Sequence, residues 1–292
     1  LSTGHRPAID ERVTFVEGDL LDEATCLEAL AGVEAVLHFA AFSQVGESVA
    51  DPLKYYRNNV AGAVSLLSAM QALGVGNFLF SSTAAVYGEP PETPITEESP
   101  LRPVNAYGNT KLAIETMLSD CGRAWGLRSL SLRYFNAAGA TEAHGEDHRP
   151  ETHLIPLVLD AATGRRGELV VYGNDYPTPD GTCVRDYIHV RDLATAHVLG
   201  LGKLADGLCG AVHLGNGQGF SVLDIIRSAE MVTGLDVPYR IGGRREGDPA
   251  VLVASSARAE ELLGWKRLQP AIDDIIRDAY AWRRRFPDGY PD

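Results

Sequence analysis

Short apolar runs alternate along this chain with longer segments whose apolar residues recur at helical spacing. Val13-Thr14-Phe15-Val16-Glu17-Gly18-Asp19 predicts a short strand ending in Gly-Asp. A helix over 22–30 returns to a strand at Ala35-Val36-Leu37-His38-Phe39-Ala40-Ala41. Val60, Val64, Leu67 and Met70 form the stripe of a long helix over 52–73, with Gly74 as its stop. Asn77-Phe78-Leu79-Phe80-Ser81-Ser82-Thr83 is an apolar run that ends in three hydroxyls. A buried parallel strand delivering polar groups at its carboxyl end has this form. A helix over 105–126 and a strand at Ser129-Leu130-Ser131-Leu132-Arg133-Tyr134-Phe135 follow. Such alternation specifies an α/β fold, a doubly wound parallel sheet with helices on both faces.

After Gly139 the pattern changes. Residues 141–151 are polar and charged, a surface excursion; 154–163 predicts a helix, 169–173 a strand, and 174–180 a turn-rich loop with two prolines. Gly215-Asn216-Gly217-Gln218-Gly219 is dense in glycine but lies late and lacks dinucleotide-fingerprint spacing, so it is expected to be a turn before a helix at Ser221. Ile272, Ile275, Ile276 and Ala279 mark a closing amphipathic helix. The expected organisation is a first lobe at 1–139 and a smaller α/β lobe mainly at 140–292, some of whose segments return to the first.

Composition then excludes several classes. A net charge of -13 over 292 residues argues against a nucleic-acid surface, which needs clustered Lys and Arg. No apolar run approaches the ~18–20 residues of a membrane span. Cys26, Cys121, Cys183 and Cys209 are scattered without CxxC pairs, which fits a reduced cytoplasmic compartment and no structural metal. Arg283-Arg284-Arg285 is expected to be a solvated helix end favourable to the helix dipole.

The chemistry begins with Tyr107 and Lys111, one helical turn apart and on one helix face. A phenol loses its proton near pH ~10, so it is a poor base at neutrality. A fixed cation nearby lowers that value, and such a pair can take a proton from an alcohol while a nicotinamide accepts hydride. Tyr-x-x-x-Lys alone is weak and equally describes a solvated helix face. Thr83, at the tip of the preceding strand, completes a proton-handling triad, because ligands of doubly wound sheets sit at that end.

On these motifs the chain resembles the extended short-chain dehydrogenase/reductases, specifically the branch that interconverts UDP-glucose and UDP-galactose. The resemblance runs from Leu1 to Asp292 and implies NAD as cofactor. In the family, Asp19 and Leu20 line the adenine, and Phe39, Ala40, Ala41, Phe42 and Ser43 form the loop past pyrophosphate and ribose. Ser43 departs from a lysine common at its position. Asn58, within Tyr55-Tyr56-Arg57-Asn58-Asn59-Val60, would contact the cofactor, and Phe135 would pack near the nicotinamide. Asn136 would serve the phosphate region, Arg185 and Arg245 the diphosphate, Asp248 the ribose hydroxyls, and Leu154 and Tyr172 the uracil. His189, in the Val184 to Asp192 signature, is expected to be a buried core histidine.

Dehydratases of this superfamily place Asp-Glu after the strand-tip threonine. This chain has Ala84-Ala85 and so lacks the acid/base pair for elimination. The implied cycle has Tyr107 accept the 4′-hydroxyl proton and Thr83 relay it, while Lys111 binds the nicotinamide ribose. A 4-ketopyranose then turns within the site and is reduced on its other face. Other NAD-dependent nucleotide-sugar oxidoreductases or decarboxylases, and an inactive UDP-sugar-binding fragment, stay open. Leu1 to His5 reads as the loop after a second strand, so the resemblance places a strand, a glycine-rich turn and a helix, roughly 30 residues, ahead of it. The family also implies a homodimer through the helices at 52–73 and 105–125. Leu252 falls beside the sugar C2 substituent, where a residue smaller than tyrosine implies acceptance of UDP-N-acetyl sugars.

Overall fold

The computed structural model describes residues 3–245 and 248–291. Glu246 and Gly247, inside the Arg244 to Asp248 motif, lie outside the described residues, as do Leu1, Ser2 and Asp292.

The central sheet is parallel, with order β1 (Val36–His38), β2 (Asn77–Thr83), β3 (Arg128–Tyr134) and β7 (Gly210–Leu214). Alternation along β2 divides its side chains between two cores. Phe78 and Phe80 join Met70, Leu66 and Ile114 under α1 (Glu23–Ala29), α4 (Gly62–Leu73) and α5 (Ala106–Trp125). Leu79 faces the other way, toward Leu130, Leu132, Leu193 and Trp265 beneath α7 (Val190–Ala205) and α9 (Ala257–Leu263). Helices cover both faces, as the alternation requires. β7, α7 and α9, all from beyond residue 189, pack in this body.

A second body packs α6 (Leu154–Ala162), α8 (Val222–Thr233) and α10 (Ile272–Arg285) around Ile155, Leu159, Ile225 and Ile275. It carries β5 (Leu169–Tyr172) paired with β9 (Tyr239–Gly242), and β6 (Val184–His189) flanked by β4 (Asn136–Ala138) and β10 (Val251–Leu252), with β8 (Gly219–Ser221) antiparallel to β6.

Two expectations need correction. Residues 13–19 form no strand: the segment has no ladder partner among the described residues, and Val13 is 56% exposed. An apolar pattern makes a strand only when another edge satisfies its backbone. The long helix at 52–73 is present and continuous, α3 (Pro52–Tyr55) running through a π-helical turn (Tyr56–Ala61) into α4, and it is preceded by α2 (Val45–Ala50). Gly74 does stop it, in the left-handed region at φ 71°. Arg283 is not solvated. It is ion-paired with Asp160 and only 18% exposed, while Arg285 donates to Glu142 O.

The start of α5 rests directly on the 3₁₀ turn Ala84–Tyr87. A Cβ on Gly108 would stand 2.5 Å from Ala85 O and 2.9 Å from Pro103 Cβ. Gly108→Ala must therefore push α5 off that turn, and overpacking of this kind costs ~1–3 kcal/mol. The expected result is a lowered urea midpoint. An unchanged midpoint would mean the turn yields freely.

Candidate active site

β2 ends at Thr83, whose Oγ1 accepts from Ala85 N at 3.1 Å and so caps the turn that follows. Asn105 caps α5 by accepting from Gly108 N at 2.8 Å, which sets the helix register. That register places the Tyr107 phenol near enough to Thr83 for the Thr83 hydroxyl to influence its ionisation. Lys111, one turn on, is 2% exposed, and its Nζ donates to Ser81 O at 2.8 Å. The triad expected from sequence does converge at the carboxyl end of the central strand.

Its electrostatics differ from expectation. Burial pushes the Tyr107 phenol up to about 12, with the Thr83 hydrogen bond opposing. Lys111 does not lower it here. The ammonium lies 5.9 Å from the Tyr107 ring centroid and is itself pushed down to about 7 by burial, with Glu115 opposing. Desolvation disfavours the charged form of each group, phenolate and ammonium alike.

The loop after β1 lies beside this centre. Phe39 is 54% exposed and packs against His197 at 4.8 Å; Ala40 and Ser43 are exposed, Ala41 and Phe42 half-buried. Sequence reasoning chose Asn58, but the buried clamp is Asn59. Phe42 N donates to its Oδ1 at 2.8 Å, and its Nδ2 donates to Phe42 O at 3.0 Å and to Thr110 Oγ1 at 3.1 Å. Asn58 donates to Asn59 Oδ1 at 2.9 Å and, with Leu21, Phe42 and Lys54, lines a cavity of about 330 Å³. Asp19 is exposed and holds Leu21 N at 2.9 Å, while Leu20 packs partly into the core under α4.

These residues fit a dinucleotide. An ammonium has three donors, and among the described residues Lys111 uses one, on Ser81 O. A buried cation with two N–H groups unspent suits a ribose diol. NAD would be held by Lys111 and Asn58 together with the Phe39 to Ser43 loop.

The second body supplies another cluster. Arg185, on β6, donates to Asp248 and at 2.8 Å to Val184 O, so two residues expected to bind substrate are here paired with each other. The Arg245 guanidinium lies 4.0 Å over the Tyr172 ring at the end of β5. Leu252 pairs in register with Arg185 and packs against Val86, Tyr87 and Ile95. Phe135 meets His213 edge-on at 5.9 Å, Asn136 opens β4, and Leu154 opens α6 half-buried. A cavity of about 390 Å³ lined by Tyr176, Arg244, Asp248 and Val251 adjoins this cluster. His189 is fully buried, its Nδ1 accepting from Arg191 N at 3.0 Å.

Sequence reasoning missed a buried polar network behind the triad. Glu115 accepts from Arg133 Nε at 3.0 Å and from Ser82 Oγ at 2.5 Å; Arg133 donates to Tyr87 OH at 2.6 Å, and Tyr87 OH meets His213 Nε2 at 2.5 Å. Only the Lys111-to-Glu115 spacing hinted at it. Asp186 was missed as well: it is fully buried and accepts from Asn216, Gly217 and Ala254 N–H groups, which gives the glycine-dense turn a purpose.

Residues 1–214 match the NAD dependent epimerase/dehydratase family. The UDP-glucose 4-epimerase of Lacticaseibacillus casei is 48% identical over 297 residues, covering 100% of this chain and 90% of the relative. A crystal structure of UDP-glucose 4-epimerase from Brucella ovis in complex with NAD superposes with TM-score 0.92 at 51% identity, covering 96% of this chain and 87% of that one. The enzyme from Bifidobacterium longum, in complex with NAD+ and UDP, superposes with TM-score 0.90 at 42% identity, covering 94% and 84%. Family match, identity and fold agree along almost the whole sequence, and the chain belongs to the NAD-dependent epimerase/dehydratase family.

Proposed function

We infer that this protein interconverts UDP-glucose and UDP-galactose at C4′ through a 4-keto sugar, with NAD as its cofactor. The observation that carries this reading is the meeting of Thr83, Tyr107 and Lys111 at the end of β2, with two Lys111 donors unspent. Half-identical relatives bearing that activity add to it. NAD supplies hydride acceptance at C4′ and its return.

The chain supplies the proton chemistry and the positioning. Tyr107 Oη takes the 4′-hydroxyl proton, and Thr83 Oγ1, at the adjoining strand tip, orients the 4′-oxygen and relays the proton. Burial holds the proton on the phenol, so positive charge placed beside it favours formation of the base. Lys111 keeps its place through Ser81 O whichever face of the sugar is presented. Elimination has no support, since Ala84 and Ala85 stand where it needs carboxylates and Glu115 is engaged by Arg133. Anchoring of the nucleotide falls to Arg185, Arg245 and Asp248, leaving the hexose free to turn.

Tyr107→Phe is expected to bind UDP in calorimetry yet lose turnover by ~10²–10⁴-fold. Near-normal turnover would identify a different base. Thr83→Val is expected to lose more than Thr83→Ala, because a water fits the smaller gap; equal losses would make the hydroxyl itself indispensable.

The apolar side chains exposed on α2 to α4 support a homodimer. Val49 is 65% exposed, Leu53 73%, Tyr56 40% and Val64 47%. Light scattering at micromolar concentration should give twice the monomer mass, with Leu53→Glu shifting it toward monomer. Monomeric wild type would remove this reading.

Leu252 supports acceptance of the N-acetyl sugar, being half-buried, beside Arg185 in register and without a hydroxyl. We expect UDP-N-acetylglucosamine to be turned over, and Leu252→Tyr to exclude it sterically by more than the ~10–200-fold of an ordinary pocket difference. Comparing kcat/KM for both sugars in both proteins tests this. An unchanged ratio, or rejection by wild type, defeats it.

A further inference from the structure

The loop between β4 and α6 gathers four side chains that the chemistry above does not use. Glu146, His148, Glu151 and His153 each offer one ligand-capable atom, and these atoms all lie within 4.8 Å of one another. His153 Nδ1 is 2.6 Å from Glu146 Oε1 and 2.9 Å from Glu151 Oε1. His148 Nδ1 is 3.3 Å from Glu146 Oε1, without the alignment of a hydrogen bond. It and Glu151 Oε2 are both buried atoms with no hydrogen-bond partner. Unspent polar atoms at the focus of a cluster carry a desolvation cost that a bound cation removes.

Ligand type and spacing narrow the choice of cation. Two imidazoles and two carboxylates are a mixed N/O set that suits zinc and its first-row neighbours, and poorly suits calcium or magnesium. At metal–ligand bonds of ~2.0–2.1 Å, tetrahedral geometry separates ligand atoms by roughly 3.4 Å. The short separations of 2.6, 2.9 and 3.3 Å therefore need to open by less than about an ångström, and the widest, within 4.8 Å, to close by up to about 1.4 Å. Burial pulls the His153 imidazole down, and its hydrogen bonds to Glu146 and Glu151 outweigh that, pushing it up to about 10.

The loop is held without any ion. Gly145 N donates to Tyr290 OH at 3.1 Å, Tyr290 N donates to Asp147 Oδ2 at 3.0 Å, and Arg149 donates to Asp288 O at 3.0 Å. Gly145 lies so close to Trp282 that a Cβ would stand 2.1 Å from the ring. A site on such a scaffold is pre-organised, which lowers the cost of binding.

We propose that Glu146, His148, Glu151 and His153 form a tetrahedral site for a divalent first-row transition ion, zinc by ligand preference, that fastens this loop to the start of α6. His153 is the residue that precedes the first turn of α6, so one ligand belongs to the helix and three to the loop. The sequence reading expected no structural metal, because the cysteines lack CxxC pairs and no ligand-like histidine spacing stood beside them; this group contains no cysteine.

The test uses the full chain, stripped with chelator and with its thiols blocked. Cobalt(II) is titrated as the spectroscopic probe, and zinc by calorimetry and elemental analysis. Expected are a single bound ion per chain, the intense visible bands of tetrahedral cobalt, and a zinc-dependent rise in melting temperature. Glu151→Gln, which preserves shape, should weaken binding at least ~tenfold and remove that rise, and His148→Ala should abolish tetrahedral cobalt. An octahedral cobalt spectrum, substoichiometric zinc, or binding unchanged by Glu151→Gln would overturn the proposal. If His148→Ala fails to fold by circular dichroism, Glu151→Gln decides alone.

Discussion

The Glu115–Arg133 ion pair fixes the relation of α5 to the central sheet, and the catalytic geometry follows from it. Both side chains are at most 10% exposed, so neither charge has water to fall back on. Removing one partner of a buried pair typically costs ~3–5 kcal/mol, because the other charge is stranded. The pair acts through its neighbours: Ser82 on β2 donates to Glu115, and Tyr87, on the turn after β2, accepts from Arg133. One helical turn earlier Lys111 reaches Ser81 O, and at the turn's edge Thr110 receives Asn59. α5 is thus tied to β2, to β3, to the turn after β2 and to the cofactor-side loop. Moving any of these displaces Tyr107.

This arrangement explains what the sequence made legible. Tyr107 and Lys111 are read easily because their relation is local, one helical turn, and Thr83 because a strand's carboxyl end is a known ligand position. Glu115 and Arg133 are separated by 18 residues, Asn59 and Thr110 by 51, and Tyr87 and His213 by 126. No periodicity encodes such pairings. A buried asparagine beside an exposed one in Asn58-Asn59 likewise looks identical in sequence until the loop that it clamps is in place. The strand expected at 13–19 erred for the same reason: alternation describes a face, whereas a strand is made by its partner's backbone.

The substrate side follows a different rule. Both cations expected to meet the diphosphate are already occupied by internal partners, Arg185 by Asp248 and Arg245 by the Tyr172 ring, and the neighbouring Arg244 is paired with Asp175 Oδ1 at 2.7 Å. In a chain of net charge -13 this is a way to keep guanidinium groups aimed at one place without assembling a bare positive patch. A dianion entering the cluster exchanges one set of ion pairs for another. The free-energy gain is then the difference between a bidentate phosphate contact and a carboxylate contact, not the full Coulomb attraction. On the proposed function, such an exchange would hold the nucleotide while the hexose turns, and orientation at C4′ would fall to Thr83 and Tyr107, where the two faces of the sugar must be handled alike.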